Sequence, residues 1–234
     1  RSESAADLRT AVEQAVREEV SLNGAKLKDA ELNYAKLNGA KLKDAELNYA
    51  ELNYAKLNGA KLNGAELNGA KLNYAELNYA ELNGAKLNGA KLKDAELNYA
   101  ELNYAELNGA ELNGAELNYA ELNGAKLKDA ELNYIRDDLF DMLEKSPEEV
   151  PALLAALREG RVNGSVYDGE CACLVGTIAN ARGCRYNEVP GLLPDSSRPA
   201  EAWFLSIGIG DTPERSLVTR ITERWIEEWM EARR

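Results

Sequence analysis

The sequence contains no histidine among its 234 residues. That absence removes every Ser-His-Asp or Cys-His nucleophile and every His-bearing zinc site. Only carboxylate, lysine and all-cysteine chemistry remain open. Cysteine is scarce as well: the three present, Cys171, Cys173 and Cys184, are too few for a disulfide framework and lie outside the repetitive half of the chain. This usage fits a reducing, cytoplasmic setting. No long apolar run occurs, and the opening "RSESAADLRTAVEQAVREEV" is polar with a helical pattern, so neither a membrane span nor secretion is indicated, although a removed leader would leave no trace. These absences argue against an enzyme, and no cofactor is expected.

What is present is repetition. From Val20 to Tyr134 the chain runs as 23 consecutive pentapeptides. Leu fills the third position of every unit, from Leu22 to Leu132, and Ala the first position of all but the opening one, where Val20 stands. On an α-helix a five-residue step advances about 140°, so the leucines would drift around the cylinder. On a flat strand an odd period sends them to alternate faces. Within a unit, however, Ala and Leu are two residues apart, and an extended backbone points both to one side. Successive pairs share a common inside only if the chain turns a quarter circle between them. The Asn-Gly, Lys-Asp and Asn-Tyr pairs that close the units supply turn formers. Four units then make a square coil, and the array makes about 5.75 coils, roughly 27 Å tall at ~4.8 Å per layer. Small Ala alternating with larger Leu suits a narrow interior without voids.

The pattern A-[KE]-L-[NK]-[GYD] resembles the pentapeptide repeat family, which implies a right-handed quadrilateral β-helix over residues 20–134. Two departures are visible. The position before the central Leu is Lys or Glu apart from Ser21, where the family usually carries Asp or Asn, and the centre is Leu throughout, where the family mixes Leu with Phe. Nearly the whole array uses five words, AKLNG, AKLKD, AELNY, AELNG and AKLNY. Such uniformity points to consensus engineering or a very recent duplication.

A solenoid exposes ladder groups and apolar interior at both ends, so caps are expected. In residues 1–19, Leu8, Val12 and Val16 with Ala11 and Ala15 form an apolar stripe at helical spacing, which predicts an N-terminal capping helix. The register holds to Ile135, after which "RDDLFDMLEK" opens a helix, and residues 135–234 read as a small, mainly helical capping or assembly domain. There, Ser146 with Pro147 and Glu149 predicts a helix start and Gly160 its stop. "GRVNGSVY" predicts a hairpin or loop about its Asn-Gly turn. "ECACLVGTIANARG" predicts a buried helix ending at Gly183. Ser196 or Ser197 is expected to cap a short helix, and Thr212 with Pro213 to open a closing helix with an apolar face of Leu217, Val218, Ile221, Trp225, Ile226 and Trp229. "VPALLAALREGRV", "GECACLVGTIAN" and "PDSSRPAE" resemble tails that follow pentapeptide repeats in some bacterial and phage proteins, a resemblance that implies no activity.

Candidate sites are few. Cys171, Cys173 and Cys184 could offer three thiolates, with Asp168 or Glu170 as a fourth ligand, but an apolar, small-residue setting favours packing over a metal or a disulfide. Asp195, Ser196, Ser197 and Arg198 lack a general base and a glycine-rich cradle, and helix capping explains them. Tyrosines 20 residues apart should stack between coils, as Tyr34, Tyr54 and Tyr74 and as Tyr79, Tyr99 and Tyr119. Such ladders stabilise a column, and an exposed one can anchor a partner. Residues 20–94 carry 11 Lys against 6 Glu and 3 Asp, whereas residues 95–134 carry 2 Lys against 7 Glu and 1 Asp. Glu96, Glu101, Glu106, Glu111, Glu116 and Glu121 follow one another with no Lys between them, wrapping more than one coil.

A solvated face is the plain reading of that acidic band, and no basic surface is large enough for nucleic acid. The family resemblance adds a second reading, since some members are DNA mimics that occupy type II topoisomerases. The resulting expectation is a non-enzymatic structural or interaction scaffold, with a DNA-mimicking inhibitor of gyrase as the alternative. Family mimics work as dimers joined at their C-termini, so Trp225 and Trp229 could serve a homodimer seam or a cap.

Overall fold

A computed structural model describes residues 5–128, 130–170, 172–195 and 198–234. The chain divides into two compact units, Arg1–Leu132 and Asn133–Arg234.

In the first unit, parallel bridges link residues 20 apart all along the array, from Lys26–Glu46 to Glu111–Glu131. The column is therefore a β-helix of 20-residue coils with four faces. Along the array, neighbouring coils are joined by three backbone hydrogen bonds per unit of the kind seen at Leu47 N–H to Glu66 O (2.7 Å), Tyr49 N–H to Asn68 O (2.9 Å) and Glu66 N–H to Ala45 O (2.9 Å). The ladder consists of single bridges, because a turn every five residues leaves no room for a longer strand on any face.

The turns follow from the unit's last two residues. Ala50 N–H donates to Leu47 O at 3.0 Å across a β-turn whose third residue, Tyr49, has φ 61°. That left-handed position suits Gly and costs an L-residue about 1–2 kcal/mol, yet Tyr and Asp occupy it at Tyr34, Asp44, Tyr79 and Asp94 as well. The Asn before it supports the next coil: Asn33 Oδ1 accepts from Asn53 N–H (2.9 Å) and from Asn53 Nδ2 (3.0 Å). Inside, Ala35 to Ala110 and Leu32 to Leu112 are essentially inaccessible to solvent. The space left among the leucines is about 10 Å³, too little to hold a water comfortably. The Asp of the Lys128-Asp129 corner lies outside the described residues.

Helix α1 (Ala5–Arg17) belongs to the same unit. Val12 is buried among the first leucines, Arg9 Nη1 donates to Asn33 O (3.2 Å), and Glu13 accepts from Lys36 N–H (2.9 Å). Ala11 is exposed, so the apolar stripe is narrower than its spacing predicts.

The second unit holds α2 (Asn133–Leu143), α3 (Val150–Arg158), α4 (Leu174–Arg182), α5 (Pro199–Phe204) and α6 (Leu217–Glu231), with a 3₁₀ turn at Tyr186–Glu188. Its core includes Leu139, Met142, Leu153, Leu157, Ile178, Phe204 and Ile226. Helix α4 ends at Gly183, φ 74°, as the sequence predicts.

Three predicted starts shift. Helix α2 begins inside the last pentapeptide rather than after Ile135; no further coil follows to hold Asn133 and Tyr134 extended. Helix α3 begins at Val150, not Pro147, because Arg182 engages both residues expected to form its cap: its guanidinium binds the Glu149 carboxylate at 2.8 and 2.9 Å and reaches Ser146 Oγ at 3.3 Å. Helix α6 begins at Leu217, where Ser216 Oγ accepts from Thr219 N–H, so Thr212 and Pro213 belong to the preceding turn. Ser196 and Ser197 lie outside the described residues; Asp138 of α2 accepts from Ala200 N–H (3.0 Å) in the first turn of α5. The Asn-Gly turn forms a loop instead of a hairpin: Val162 pairs in parallel with Ala172.

Candidate interaction surface

Because residues five apart fall on successive faces, the acidic band of the sequence does not form one surface. Glu106 and Glu111 belong to two faces on which Lys and Glu are interspersed, and each is paired, Glu106 with Lys126 (2.8 Å) and Glu111 with Lys91 (3.1 Å). The hydrogen bond from Lys126 holds the Glu106 carboxyl below the usual carboxylate range.

The other two faces sort their charges. One carries Lys36, Lys56, Glu76, Glu96 and Glu116 in successive coils; its neighbour carries Lys41, Lys61, Glu81, Glu101 and Glu121. Glu76 and Glu81 therefore join the acidic group, which the linear reading missed; a count at a step of 20 would have found them. Each carboxylate is oriented by an amide from the coil before it: Asn78 Nδ2 donates to Glu96, Asn83 to Glu101, Asn98 to Glu116 and Asn103 to Glu121, all at 2.7 Å. Glu76 also meets Lys56 (2.8 Å) and Glu81 meets Lys61 (3.2 Å). The Lys56 hydrogen bond lowers the Glu76 pKa, and the Asn63 hydrogen bond lowers that of Glu81.

The edge between these two faces is the corner carrying Gly39, Gly59, Tyr79, Tyr99 and Tyr119. The three rings stack as the 20-residue step predicts, with centroids 5.0 and 4.8 Å apart and planes within 12° of parallel. Tyr79 is 63% exposed and Tyr119 39%. A row of tyrosines thus stands between two rows of three carboxylates. The second ladder, Tyr34, Tyr54 and Tyr74, stacks at 5.0 and 4.9 Å and ends against Asp94, whose hydrogen bond raises the Tyr74 pKa.

The remaining candidates lie in the second unit. Trp225 and Trp229 are 9% and 3% exposed; Trp225 meets Trp203 with the ring planes tilted by 43° and centroids 5.6 Å apart, and Arg233 covers Trp229 at 3.8 Å, so little of either ring faces outward. Cys173 is buried, which pushes its thiol up to about 11, and Cys184 is half-buried; neither is in a disulfide. Cys171 lies outside the described residues, and among those described no group of three His, Cys, Asp or Glu side chains could hold a metal. Arg198 is engaged by the Asp138 carboxylate. Sequence reasoning passed over one buried group, Glu201, which accepts from Asp195 N–H (3.1 Å) beside Tyr167; burial raises the pKa of Glu201 and pushes Tyr167 up to about 12.

Comparison with known proteins bears on the column alone. The family described as pentapeptide repeats matches in eight copies, over residues 18–48, 25–64, 50–89 and 90–129. No curated protein matches the chain. Among solved structures, a pentapeptide repeat protein from the Arabidopsis thaliana thylakoid lumen is 24% identical over 53% of this chain and 73% of its own, with a TM-score of 0.36. HetL of Nostoc sp. strain PCC 7120, a pentapeptide repeat protein involved in heterocyst differentiation regulation, is 34% identical over 50% of this chain and 65% of its own, with a TM-score of 0.23. QnrB1, a plasmid-mediated fluoroquinolone resistance protein, is 20% identical over 48% and 70%, with a TM-score of 0.25.

Proposed function

Because this chain belongs to the pentapeptide repeat family through residues 18–129, we propose that it works without catalysis, as a rigid right-handed β-helical scaffold that presents one built edge to a partner. Helix α1 caps the column at its N-terminal end in this reading. The observation that carries it is the edge at Tyr79, Tyr99 and Tyr119, flanked by Glu76, Glu96 and Glu116 and by Glu81, Glu101 and Glu121. Every part of that edge is fixed by ladder geometry or an amide hydrogen bond, so little side-chain freedom is lost when it is covered. Stacked tyrosines bring large contact area at low entropic cost. Among the described residues no helix is long and apolar enough to cross a membrane.

A second reading is a DNA mimic that inhibits gyrase or another type II topoisomerase. It is favoured by four carboxylates, Glu96, Glu101, Glu116 and Glu121, that stand in two rows on adjacent faces, each beside further Glu in the neighbouring coil. A gyrase supercoiling assay with rising amounts of the protein separates the two. The scaffold reading expects undiminished supercoiling. Inhibition that disappears in the Glu96→Gln, Glu101→Gln, Glu116→Gln, Glu121→Gln variant would replace it with the mimic.

A further inference from the structure

Over four successive coils, the same two faces that sort their charges do so in an order complementary to its own reverse. Over these four coils one face reads Lys36, Lys56, Glu76, Glu96 and the other Lys41, Lys61, Glu81, Glu101, while the edge between them reads Gly39, Gly59, Tyr79, Tyr99; the next coil, with Glu116, Tyr119 and Glu121, lies beyond the complementary stretch. Two basic layers are followed by acidic ones, and two flat corners by protruding rings. We propose that this edge is the seat of a second copy of the chain, docked antiparallel, and so names the occupant of the interaction surface proposed above, on which it rests.

The geometry follows from a two-fold axis across the column, between the coil layers of Lys56 and Glu76. Lys36 then faces Glu96 of the second copy, and Lys56 faces Glu76. On the adjacent face Lys41 meets Glu101 and Lys61 meets Glu81. Each of these contacts occurs twice, as an isologous interface requires. On the edge itself, Tyr99 of one copy projects over Gly39 of the other, and Tyr79 over Gly59. Both glycines leave that space open, since a Cβ added to either would meet nothing within 4 Å. The long Lys and Glu side chains span the flanks, where the faces fall away from the edge.

Alternatives fail on the same residues. A parallel pair would set Lys on Lys and Glu on Glu. On the other two faces the order is Lys26, Glu46, Glu66, Lys86, Glu106, Lys126 and Glu31, Glu51, Lys71, Lys91, Glu111, Glu131. The second of these reads the same in both directions, so reversal puts like charges opposite each other. At the corner of Tyr34, Tyr54, Tyr74 and Asp94 the same axis would set Tyr54 against Tyr74, ring on ring, and Tyr34 against Asp94, with no open glycine to receive a ring. Charge order and ring order together single out one edge and one orientation.

The full chain is tested by sedimentation equilibrium at low and high salt. A dimer is expected that weakens at least tenfold from about 50 mM to about 500 mM NaCl, since exposed ion pairs are screened. The variants Lys36→Glu with Lys41→Glu, and Glu96→Lys with Glu101→Lys, should each sediment as monomers, and an equimolar mixture of the two should form a heterodimer. All four sites are on the surface, and circular dichroism checks that each variant keeps its column. Tyr79→Gly with Tyr99→Gly, which writes the residue already used at Gly39 and Gly59, should weaken the dimer at least tenfold without altering charge. A wild-type chain that stays monomeric at low salt, a dimer indifferent to these variants, or a mixture that fails to pair would overturn the proposal. The supercoiling assay is independent of all these outcomes, so failure here leaves the scaffold reading standing.

Discussion

The ring of Tyr49 lies across the backbone of Gly69 in the next coil, so closely that a Cβ on Gly69 would fall 2.6 Å from Tyr49 Cε1. Tyr104 and Gly124 repeat the arrangement at 2.6 Å from Cδ1. Corner rings are therefore covered by another ring, as at Tyr79 and Tyr99, by an acidic side chain, as at Tyr74 and Asp94, or by a glycine that offers its bare backbone.

Gly69→Ala and Gly59→Ala should differ for this reason. Both glycines have a left-handed φ, 65° and 64°, so each substitution carries a backbone cost of about 1 kcal/mol. At Gly59 the methyl meets open space, whereas at Gly69 it collides with an aromatic ring whose displacement adds about 1–3 kcal/mol. Urea unfolding followed by tyrosine circular dichroism should show the larger loss at Gly69. Removing the ring with Tyr49→Ala should bring the two losses together; a persistent difference would show that ring contact is not its source.

The leucine interior predicts intolerance in both directions. Leu77 is 1% exposed, and the space among its neighbours is about 10 Å³. Leu77→Ala leaves a hole that a ladder fixed above and below closes poorly, at a cost of about 2–5 kcal/mol. Leu77→Phe overfills the layer at a cost of about 1–3 kcal/mol. Both losses should appear in the tyrosine signal and spread to the amide-exchange protection of adjacent coils. A neutral Leu77→Phe would mean that the column expands readily, contrary to its packing.

The column was legible because one rule, a five-residue period, generates it. The inward Ala and Leu, the turn at each Asn-Tyr or Asn-Gly pair and the Tyr79–Tyr99–Tyr119 stack all follow from counting. The acidic run from Glu96 to Glu121 wraps more than one coil, as the five-residue step requires; a linear count does not sort it by face, and the fold puts Glu106 and Glu111 on mixed faces and sets Glu76 and Glu81 beside the other four. In the second unit local signals pointed to starts that tertiary contacts overrode. Ser146 and Glu149 have the spacing of a capping box, but Arg182, 33 residues beyond Glu149, takes both. Nothing in the local sequence announces that partner.

That partner makes the acid stability of the second unit predictable. The Glu149 side chain is 9% exposed, and the Arg182 hydrogen bond holds its carboxyl below the ordinary value of 4.5. A carboxylate whose pKa is lower in the folded state contributes stability that is fully present above its unfolded pKa. The contribution is lost as pH falls through the folded pKa. Unfolding of this unit can be followed alone, because all three tryptophans, Trp203, Trp225 and Trp229, reside in it. Between about pH 5 and about pH 3 the tryptophan-detected urea midpoint should fall in the wild type and fall less steeply in Glu149→Gln, which starts lower because the Arg182 guanidinium has lost its partner. Equal slopes in the two proteins would show that the pair does not govern acid unfolding, and a higher starting midpoint in Glu149→Gln would show that the pair costs more to bury than it returns.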